Sequence, residues 1–203
     1  MKRPEMLNKR KSSIWNTVLV IMFGLLILAV LFNLWFLQTF VVVEVSGSSM
    51  ETTVFDGDIL YAERDLKPRR GDVVIIDVST YSEKGFRGNF IIKRLIALEG
   101  DTVMCEDGVV YLLKSGEEEF TAIDDSFIEF PTDDFKAVTV GEGEIYFLGD
   151  HRNNSTDSRV VGCLKRADIV GVVPNWAIKN RKLIGKWEAF RSALLGGGTK
   201  IEE

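Results

Sequence analysis

A long stretch without charge near the amino terminus most constrains what this 203-residue chain can form. Residues 14–43 contain no Asp, Glu, Lys or Arg, and the 23 residues from position 14 to position 36 read IWNTVLVIMFGLLILAVLFNLWF. A helix needs about 20 apolar residues to cross the hydrocarbon core of a bilayer. Trp15 and Trp35 stand near the two ends, where amphipathic rings favour the membrane interface. We therefore predict an uncleaved transmembrane helix over residues 14–36.

Two other interpretations of this segment fit less well. A buried helix of a soluble protein rarely runs this far without charge. A cleavable signal peptide has an apolar region of about 7–15 residues that ends at small residues, whereas QTFVVVEV follows here. Residues 1–13 carry five basic side chains and one acidic one. The positive-inside rule therefore predicts a cytoplasmic basic segment over residues 1–13 and a single-pass membrane protein whose remaining residues are extracytoplasmic.

The part of the chain beyond the anchor is acidic, with 20 basic and 29 acidic side chains. This balance argues against a nucleic-acid partner, which needs clustered Lys and Arg. Only two cysteines and one histidine are present, which excludes a four-cysteine zinc site and most His-rich metal sites. Cys105 and Cys163 could pair in an oxidising compartment or remain as buried thiols.

Short runs rich in Val and Ile predict a mainly β outer part, organised as an antiparallel sandwich or barrel. They are bounded by Gly-Asp or Gly-Glu pairs. The predicted strands cover residues 40–45, 59–62, 73–78, 89–97, 102–105, 109–113, 145–148 and 169–173. Residues 40–101 and 145–179 would together form this β domain.

Two segments differ in composition from the β domain. Residues 102–144 hold twelve acidic side chains against Lys114 and Lys136, which predicts a solvated acidic insertion; a lid or a partner surface is the alternative. Residues 180–203 form a basic tail with apolar side chains at helical spacing. That tail could pack on the core or lie on the membrane surface. Its spaced apolar residues are Leu183, Ile184, Trp187 and Phe190.

Ser49 and Lys93 are candidates for a nucleophile and its base. The sequence SGSSMETT, residues 46–53, follows a predicted strand and can present a hydroxyl on a turn, although Ser and Gly also mark ordinary loops. A serine needs a base to act as a nucleophile, and His151 or a lysine could serve. Lys93 and Arg94 lie within FIIKRLIALEG, where strand alternation directs one of them to the apolar side. Burial there would favour a neutral lysine, whereas an ordinary lysine would extend to solvent.

A third candidate segment is GDHRNNSTDSR, residues 149–159. Two carboxylates, two arginines and three hydroxyls fall within these eleven residues. Such a cluster can order a loop through charge-assisted hydrogen bonds, which is also its simplest structural explanation.

Taken in order, these segments resemble the type I signal peptidases, the membrane-bound Ser-Lys endopeptidases of bacteria. The matching segments are the anchor, GSSMETTVFDGDIL, RRGDVVII, KRLIALEGD and GDHRNNSTDSRVVG. The single anchor is similar to the Gram-positive branch. The resemblance implies a mainly antiparallel β catalytic domain of the signal peptidase type with a small insertion, which residues 102–144 fit. It also implies cleavage of signal peptides from exported preproteins, without metal or cofactor, next to membrane lipid and near the secretion machinery.

The resemblance also assigns roles to individual residues. Ser49 matches the nucleophile and Lys93 the general base. Ser155 and Asp157 match the residues that orient the lysine, and Arg159 matches the arginine that pairs near them. The residues that bind substrate are not assigned.

Four positions depart from the family pattern. Thr52 and Glu99 stand where proline is usual, and His151 stands where asparagine is usual. Gly47 occupies a position where some relatives carry a serine whose hydroxyl assists the oxyanion hole, so backbone N–H groups, including that of Ser49, would contribute more. Loss of a proline should loosen a loop more than it abolishes the chemistry.

Two alternatives remain open from the sequence. Self-cleaving repressors share the Ser-Lys chemistry, but they carry a DNA-binding segment where this chain has an anchor. The other alternative is a membrane-anchored, non-catalytic β-domain that binds extracytoplasmic partners.

Overall fold

The computed structural model describes residues 4–86 and 88–195. The chain divides into two compact units, Met1–Thr39 and Phe40–Glu203. The end of the predicted tail, residues 196–203, lies outside the described residues, as do residues 1–3 of the predicted basic segment.

The first unit is helix α1, Pro4–Thr39, which includes a stretch long and apolar enough to cross a membrane, Ile14–Thr39. This stretch runs three residues beyond the predicted end at residue 36. Residues 4–13 of the basic segment belong to the same helix. The helix ends where a run of β-branched valines begins, because these side chains favour strands over helices.

The second unit contains a seven-stranded sheet in which each pair of neighbouring strands is antiparallel. Its strand order is β1-β2-β11-β3-β4-β9-β10. The strands are β1 Phe40–Glu44, β2 Ile59–Glu63, β3 Val73–Asp77, β4 Phe90–Leu98, β9 Glu144–Leu148, β10 Leu164–Lys165 and β11 Ile169–Val173. Strand β4 lies near the centre, between β3 and β9.

A smaller antiparallel sheet is built from the predicted acidic insertion, in the order β7-β6-β5-β8. Its strands are β5 Thr102–Glu106, β6 Val109–Leu113, β7 Thr121–Ala122 and β8 Phe135–Thr139. The insertion is therefore a folded sheet with its own register, and its long connection between β7 and β8 is irregular. Together the two sheets confirm the predicted mainly β, antiparallel fold class.

Short helices complete the second unit. They are α2 Ser158–Val161, α3 Asn175–Lys179 and α4 Arg181–Leu195, with 3₁₀ turns at Ser82–Lys84 and Arg166–Asp168. Helix α4 lies where the tail's apolar spacing predicted one. It buries Ile184 and Glu188, and the Glu188 carboxylate accepts a hydrogen bond from the Tyr61 hydroxyl of β2. Burial and this carboxylate raise the pKa of Tyr61.

Two apolar cores lie on the faces of β4 and its neighbours. One core joins β3, β4 and β9 around Val74, Leu95 and Phe147. The other joins the end of β4 to the smaller sheet around Ile96, Val103 and Leu112, and it includes the buried Cys105. Because consecutive strand residues face opposite sides, one strand can contribute to both cores. Strand β4 is thus the element that connects the two sheets.

Asp101 stabilises the turn that leads from β4 into the smaller sheet. Its fully buried carboxylate accepts hydrogen bonds from Arg70 Nε and Nη2, at 2.6 and 2.8 Å, and from the backbone N–H groups of Leu98 and Ser115, both at 2.9 Å. Burial opposes ionisation, but the hydrogen bonds from Arg70, Leu98 and Ser115 hold the pKa of Asp101 below its usual value. The folded state therefore favours the ionised form of the Asp101 carboxyl group.

Replacing this carboxylate should destabilise the fold. We expect Asp101→Asn to lower the free energy of unfolding at neutral pH by roughly 2–3 kcal/mol, because a charge-assisted hydrogen bond contributes about 1.5–3 kcal/mol. Since the folded pKa is lowered, this contribution is complete above the ordinary aspartate pKa of about 3.9 and is lost as the pH falls through the folded value. Denaturant titrations of the full chain in detergent micelles measure the difference in the free energy of unfolding between the wild type and Asp101→Asn. This difference should shrink in acid; a difference that grows in acid would contradict the assignment.

Candidate active site

Ser49 lies on a tight turn that begins directly after β1. The Val45 N–H donates to the Asp58 carbonyl at 2.9 Å, and the Gly47 N–H donates to the Asp56 carboxylate at 2.8 Å. Gly47 has φ +88°, a left-handed conformation that glycine adopts without steric cost. Met50 is fully buried, so the residue next to Ser49 anchors the turn to the protein interior. The turn presents a half-buried Ser49 at its surface.

Lys93 lies on β4, directly opposite Val74 of β3. Its side chain points to the same side of the strand as Ile91 and Leu95, and the residue is only 3% exposed. The Nζ atom is 2.7 Å from Ser49 Oγ and 2.9 Å from the Ile92 carbonyl oxygen. The structure thus brings together two residues that are 44 positions apart in the sequence, with the amine removed from bulk water.

Arg94 points to the other side of β4, as strand alternation predicts. Its guanidinium donates to both carboxylate oxygens of Asp150, at 2.7 and 2.5 Å, and stacks over the Phe127 ring at 4.3 Å. Thr53 also donates to Asp150. Because Asp150 precedes the loop of residues 151–157 and Thr53 follows Ser49, this ion pair joins the strand, the nucleophile turn and the loop.

Asp157 and Arg159 give that loop its shape. The fully buried Asp157 accepts hydrogen bonds from Arg159 Nε and Nη2, both at 2.8 Å, and from the Gly149 N–H at 3.0 Å. It also caps α2 by accepting from the Arg159 N–H. Burial disfavours the charged guanidinium, yet the bond to Asp157 keeps the pKa of Arg159 above its usual value. The contacts of Asp157 go to the loop and its helix, so it shapes the segment that carries Ser155.

Ser155 lies on this loop, and its Oγ atom is buried without a hydrogen-bond partner among the described residues. The absence of a side chain at Gly149 makes room for it, because a Cβ atom there would collide with Ser155 and lie 2.6 Å from the Ser49 carbonyl oxygen. Ser155 and Lys93 line the same groove. A buried hydroxyl without a hydrogen-bond partner costs free energy. A polar group that enters the groove here and bonds to Ser155 Oγ would remove this cost.

The groove beside Ser49 has a volume of about 570 Å³. Polar groups come from residues 46–49 and 153–156, and the apolar wall comes from Phe86, Phe90 and Ile91. The sequence does not predict the groove residues Gly85, Phe86, Gly88, Phe90 and Ile91, because they belong to no chemically distinctive motif. An extended chain with small apolar side chains would suit such a surface.

His151, the alternative base, does not contact the Ser49 hydroxyl. Its Nδ1 atom lies 3.2 Å from both the Ser48 carbonyl oxygen and a Glu51 carboxylate oxygen. Its backbone N–H donates to the Ser49 carbonyl at 3.0 Å. Among the described residues, the candidate base whose side chain contacts Ser49 Oγ is Lys93.

The two cysteines are free thiols. Cys105 is buried and Cys163 is half-buried, and burial raises the pKa of each thiol. Of the two sequence-based alternatives, the structure has the unpaired one. Among the described residues, no group of three or more His, Cys, Asp and Glu side chains is placed to hold a metal ion.

Thr52 holds a backbone conformation that proline cannot adopt. Its φ is +88°, which is rare for a β-branched residue and costs about 1–3 kcal/mol. Proline has φ near −65° and cannot adopt it. The nucleophile turn of this chain is therefore built on a different backbone geometry from one that contains proline.

Three substitutions at Thr52 should separate the strain of a positive φ from the restriction that a proline ring imposes on φ. We expect Thr52→Gly to be at least about 1 kcal/mol more stable than Thr52→Ala, because glycine adopts positive φ without strain. Thr52→Pro should be the least stable of the three, because its ring forbids the native φ. Thermal unfolding of the full chain in detergent would measure the order; a proline variant as stable as the wild type would show that the turn adopts the proline-compatible geometry.

Comparisons with known proteins agree on one family. The family described as signal peptidase, peptidase S26, matches residues 14–176. A probable signal peptidase I-1 from Synechocystis sp. is 34% identical over 136 residues, which cover 63% of this chain and 65% of the relative. Signal peptidase I of Bacillus licheniformis is 32% identical over 163 residues, covering 74% and 80%. Signal peptidase I P of Bacillus subtilis subsp. natto is 30% identical over 175 residues, covering 81% and 89%.

One crystal structure, a signal peptidase I from Enterococcus faecalis V583, is 28% identical with a TM-score of 0.43 and covers 54% of this chain and 98% of its own. The family match spans the candidate span, the nucleophile turn, the lysine strand and the loop of residues 149–159. By that match, and by the two Bacillus relatives, this chain belongs to the signal peptidase family, peptidase S26.

Proposed function

We propose that this chain is a membrane-anchored serine endopeptidase that removes signal peptides from exported preproteins, with Ser49 as nucleophile and Lys93 as general base. The observation that carries the proposal is the 2.7 Å contact between Lys93 Nζ and Ser49 Oγ at the edge of an open groove. Membership of the signal peptidase family supports it. No observation favours the non-catalytic β-domain.

The chemistry is acyl transfer. The neutral Lys93 amine accepts the hydroxyl proton while Ser49 Oγ attacks the scissile carbonyl carbon. The tetrahedral intermediate collapses when the peptide C–N bond breaks, and the lysine proton passes to the departing amine of the mature protein. Water then attacks the acyl-enzyme carbonyl carbon and loses its proton to Lys93. The ester bond to Ser49 Oγ breaks, the lysine ammonium returns the proton to Oγ, and the signal peptide leaves with a carboxylate terminus. A serine is weakly nucleophilic without such a base, and general-base assistance supplies about 10²–10⁴-fold.

The oxyanion that forms in both steps needs hydrogen-bond donors. Gly47 carries no hydroxyl, so the Ser49 backbone N–H is the donor that we assign. Ser155, Asp157 and Arg159 support the base indirectly: Asp157 and Arg159 fix the loop, and this places the buried Ser155 hydroxyl in the groove that Lys93 lines. A hydrogen bond from Ser155 to the lysine during turnover would satisfy that hydroxyl.

The substrate lies in the groove as an extended peptide. The wall formed by Phe86, Phe90 and Ile91 favours small apolar side chains close to the cleaved bond.

The location of the enzyme follows from its amino-terminal helix. We propose that Ile14–Thr39 spans the cell membrane once, with residues 1–13 cytoplasmic because of their excess of Lys and Arg. The catalytic unit is then extracytoplasmic, near the secretion machinery that delivers preproteins. A tethered enzyme meets membrane-inserted substrates at high effective concentration.

Two substitutions test the catalytic assignment. We expect Ser49→Ala and Lys93→Ala each to reduce cleavage of a labelled preprotein by at least about 10³-fold in detergent, because each removes one half of the proton-transfer and nucleophile pair. Matched controls are Ser79→Ala and Lys67→Ala, which alter exposed residues of the same types away from the groove. Retained cleavage in either active-site variant, or an equal loss in the controls, would sink the assignment.

Helix α4 is the second element, after the amino-terminal helix, that we expect to contact lipid. Leu183, Trp187 and Phe190 form one stripe and are 67%, 55% and 57% exposed, although Ile184 on the neighbouring face is buried. Exposed Lys186 flanks this stripe. A basic helix with an exposed aromatic and aliphatic stripe is typical of helices that lie in the membrane interface, so we propose that this stripe contacts anionic lipid.

Fluorescence can locate Trp187 directly. The full chain is reconstituted in vesicles of phosphatidylcholine and phosphatidylglycerol. The emission of Trp187 is obtained by subtracting the emission spectrum of Trp187→Phe from that of the wild type. We expect this difference emission to be blue-shifted and quenched by lipids brominated on their acyl chains, since the indole sits in the interface. Difference emission typical of a water-exposed indole, without quenching, would contradict the contact with lipid.

A further inference from the structure

We infer that the segment over residues 123–134, which we call the clamp loop, positions the nucleophile turn through its contacts with His151 and Arg152. The inference rests on the proposed function, because it assigns a positioning role within that site. The clamp loop belongs to the acidic insertion, and none of its residues takes part in the chemistry described above.

The first contact is made by Arg152, whose side chain is fully buried. Its Nη1 and Nη2 atoms donate to the two carboxylate oxygens of Asp125 at 2.6 and 2.7 Å. Nη1 also donates to the buried Thr132 hydroxyl, and Nε donates to the Gly149 carbonyl at 3.1 Å. One guanidinium therefore ties two points of the clamp loop to the loop that carries His151. A buried charge is tolerated only with such pairing.

The second contact is made by Phe130. Its ring stacks on the His151 imidazole with a centroid distance of 5.4 Å and an interplanar angle of 13°. Phe130 is 40% exposed, so it is not held by burial in a core. The stacked imidazole is the surface that fixes the position of this aromatic ring, and the ring in turn restricts rotation of the imidazole.

His151 passes this restriction to the nucleophile turn. Its Nδ1 atom faces two acceptors, the Ser48 carbonyl and the Glu51 carboxylate, so Nδ1 carries the hydrogen. Its backbone N–H donates to the Ser49 carbonyl at 3.0 Å. The two peptide units on either side of the Ser49 Cα atom are thus hydrogen-bonded to the residue on which Phe130 stacks. A small rotation of the turn would move Ser49 Oγ away from Lys93.

The clamp loop is absent from the described lining of the groove, which comes from residues 46–49, from residues 85, 86, 88, 90, 91 and 93, and from residues 153–156. A substrate in the groove therefore has no direct contact with Phe130 or Asp125. Loss of the clamp contacts should lower kcat, which depends on the alignment of Ser49 with Lys93, and leave KM nearly unchanged.

Steady-state kinetics of the full chain in detergent test this separation. We expect Phe130→Ala to lower kcat about tenfold with KM within about twofold, since small misalignments of reacting groups cost rate. Phe130→Tyr, which preserves the ring, should restore kcat. The matched control is Phe120→Ala, which removes an exposed phenylalanine of the same insertion and should behave as the wild type.

NMR supplies a readout that does not depend on activity. The chain has a single histidine, so ¹³C-labelling of histidine gives one imidazole spin system. The stacked Phe130 ring should shift its proton resonances upfield, and Phe130→Ala should move them back by several tenths of a ppm. Phe120→Ala should leave them unchanged.

A double-mutant cycle tests whether both contacts act through one loop. Asp125→Asn should also lower kcat, and its effect should be less than multiplicative with that of Phe130→Ala. The inference is overturned if Phe130→Ala moves the imidazole resonances downfield but has the same kcat as Phe120→Ala. It is also overturned if Phe130→Ala raises KM and leaves kcat unchanged. Failure of the wild-type chain to cleave the preprotein would instead refute the proposed function, and the NMR result would still stand.

Discussion

A lysine amine buried beside a serine hydroxyl is the interaction on which the rest of this site depends. An ammonium is strongly solvated, and placing Lys93 at 3% exposure removes most of that solvation. Burial of apolar side chains from β3, β4 and β9 around the same face of β4 stabilises the fold and offsets this desolvation cost. The nucleophile turn, anchored by the buried Met50, then brings Ser49 Oγ to 2.7 Å from the amine.

Charge pairs around the site hold its backbone without contacting the reacting atoms. Arg94 pairs with Asp150 on the opposite side of β4, Arg159 pairs with Asp157 at the start of α2, and Arg152 pairs with Asp125 of the clamp loop. In each pair at least one side chain is fully buried, so removal of one partner would leave an uncompensated charge. These pairs limit how far the loop of residues 149–159 can move from the nucleophile turn.

The sequence predicted the strands of the sheet well where apolar periodicity was strong. The predicted strands at residues 109–113 and 169–173 match β6 and β11, and the others differ by one residue at one or both ends. Strand β8 was missed because FKAVT is half-exposed and lacks a dense apolar run. Strands β7 and β10 have only two residues each, too few for any periodicity.

The site was predictable only in part for a similar reason. Ser49 and Lys93 were found because ordered motifs identify them. Alternation along β4 placed Lys93 and Arg94 on opposite sides without stating which partner each would meet. The contacts of His151 with Phe130 and of Arg152 with Asp125 join residues 21 and 27 positions apart through an irregular loop, where sequence periodicity carries no information. The strained Thr52 could be seen as a departure from the family, but its positive φ required the structure.

The most direct test of the central claim is detection of the covalent intermediate. A preprotein or peptide substrate is mixed with the full-length enzyme, quenched rapidly with acid and analysed by mass spectrometry of the peptide that contains Ser49. The account predicts an ester between Ser49 and the amino-terminal fragment of the substrate, which forms far more slowly in Lys93→Met and does not form in Ser49→Ala. Turnover without an adduct on Ser49, or an adduct that forms equally fast without the lysine amine, would contradict it.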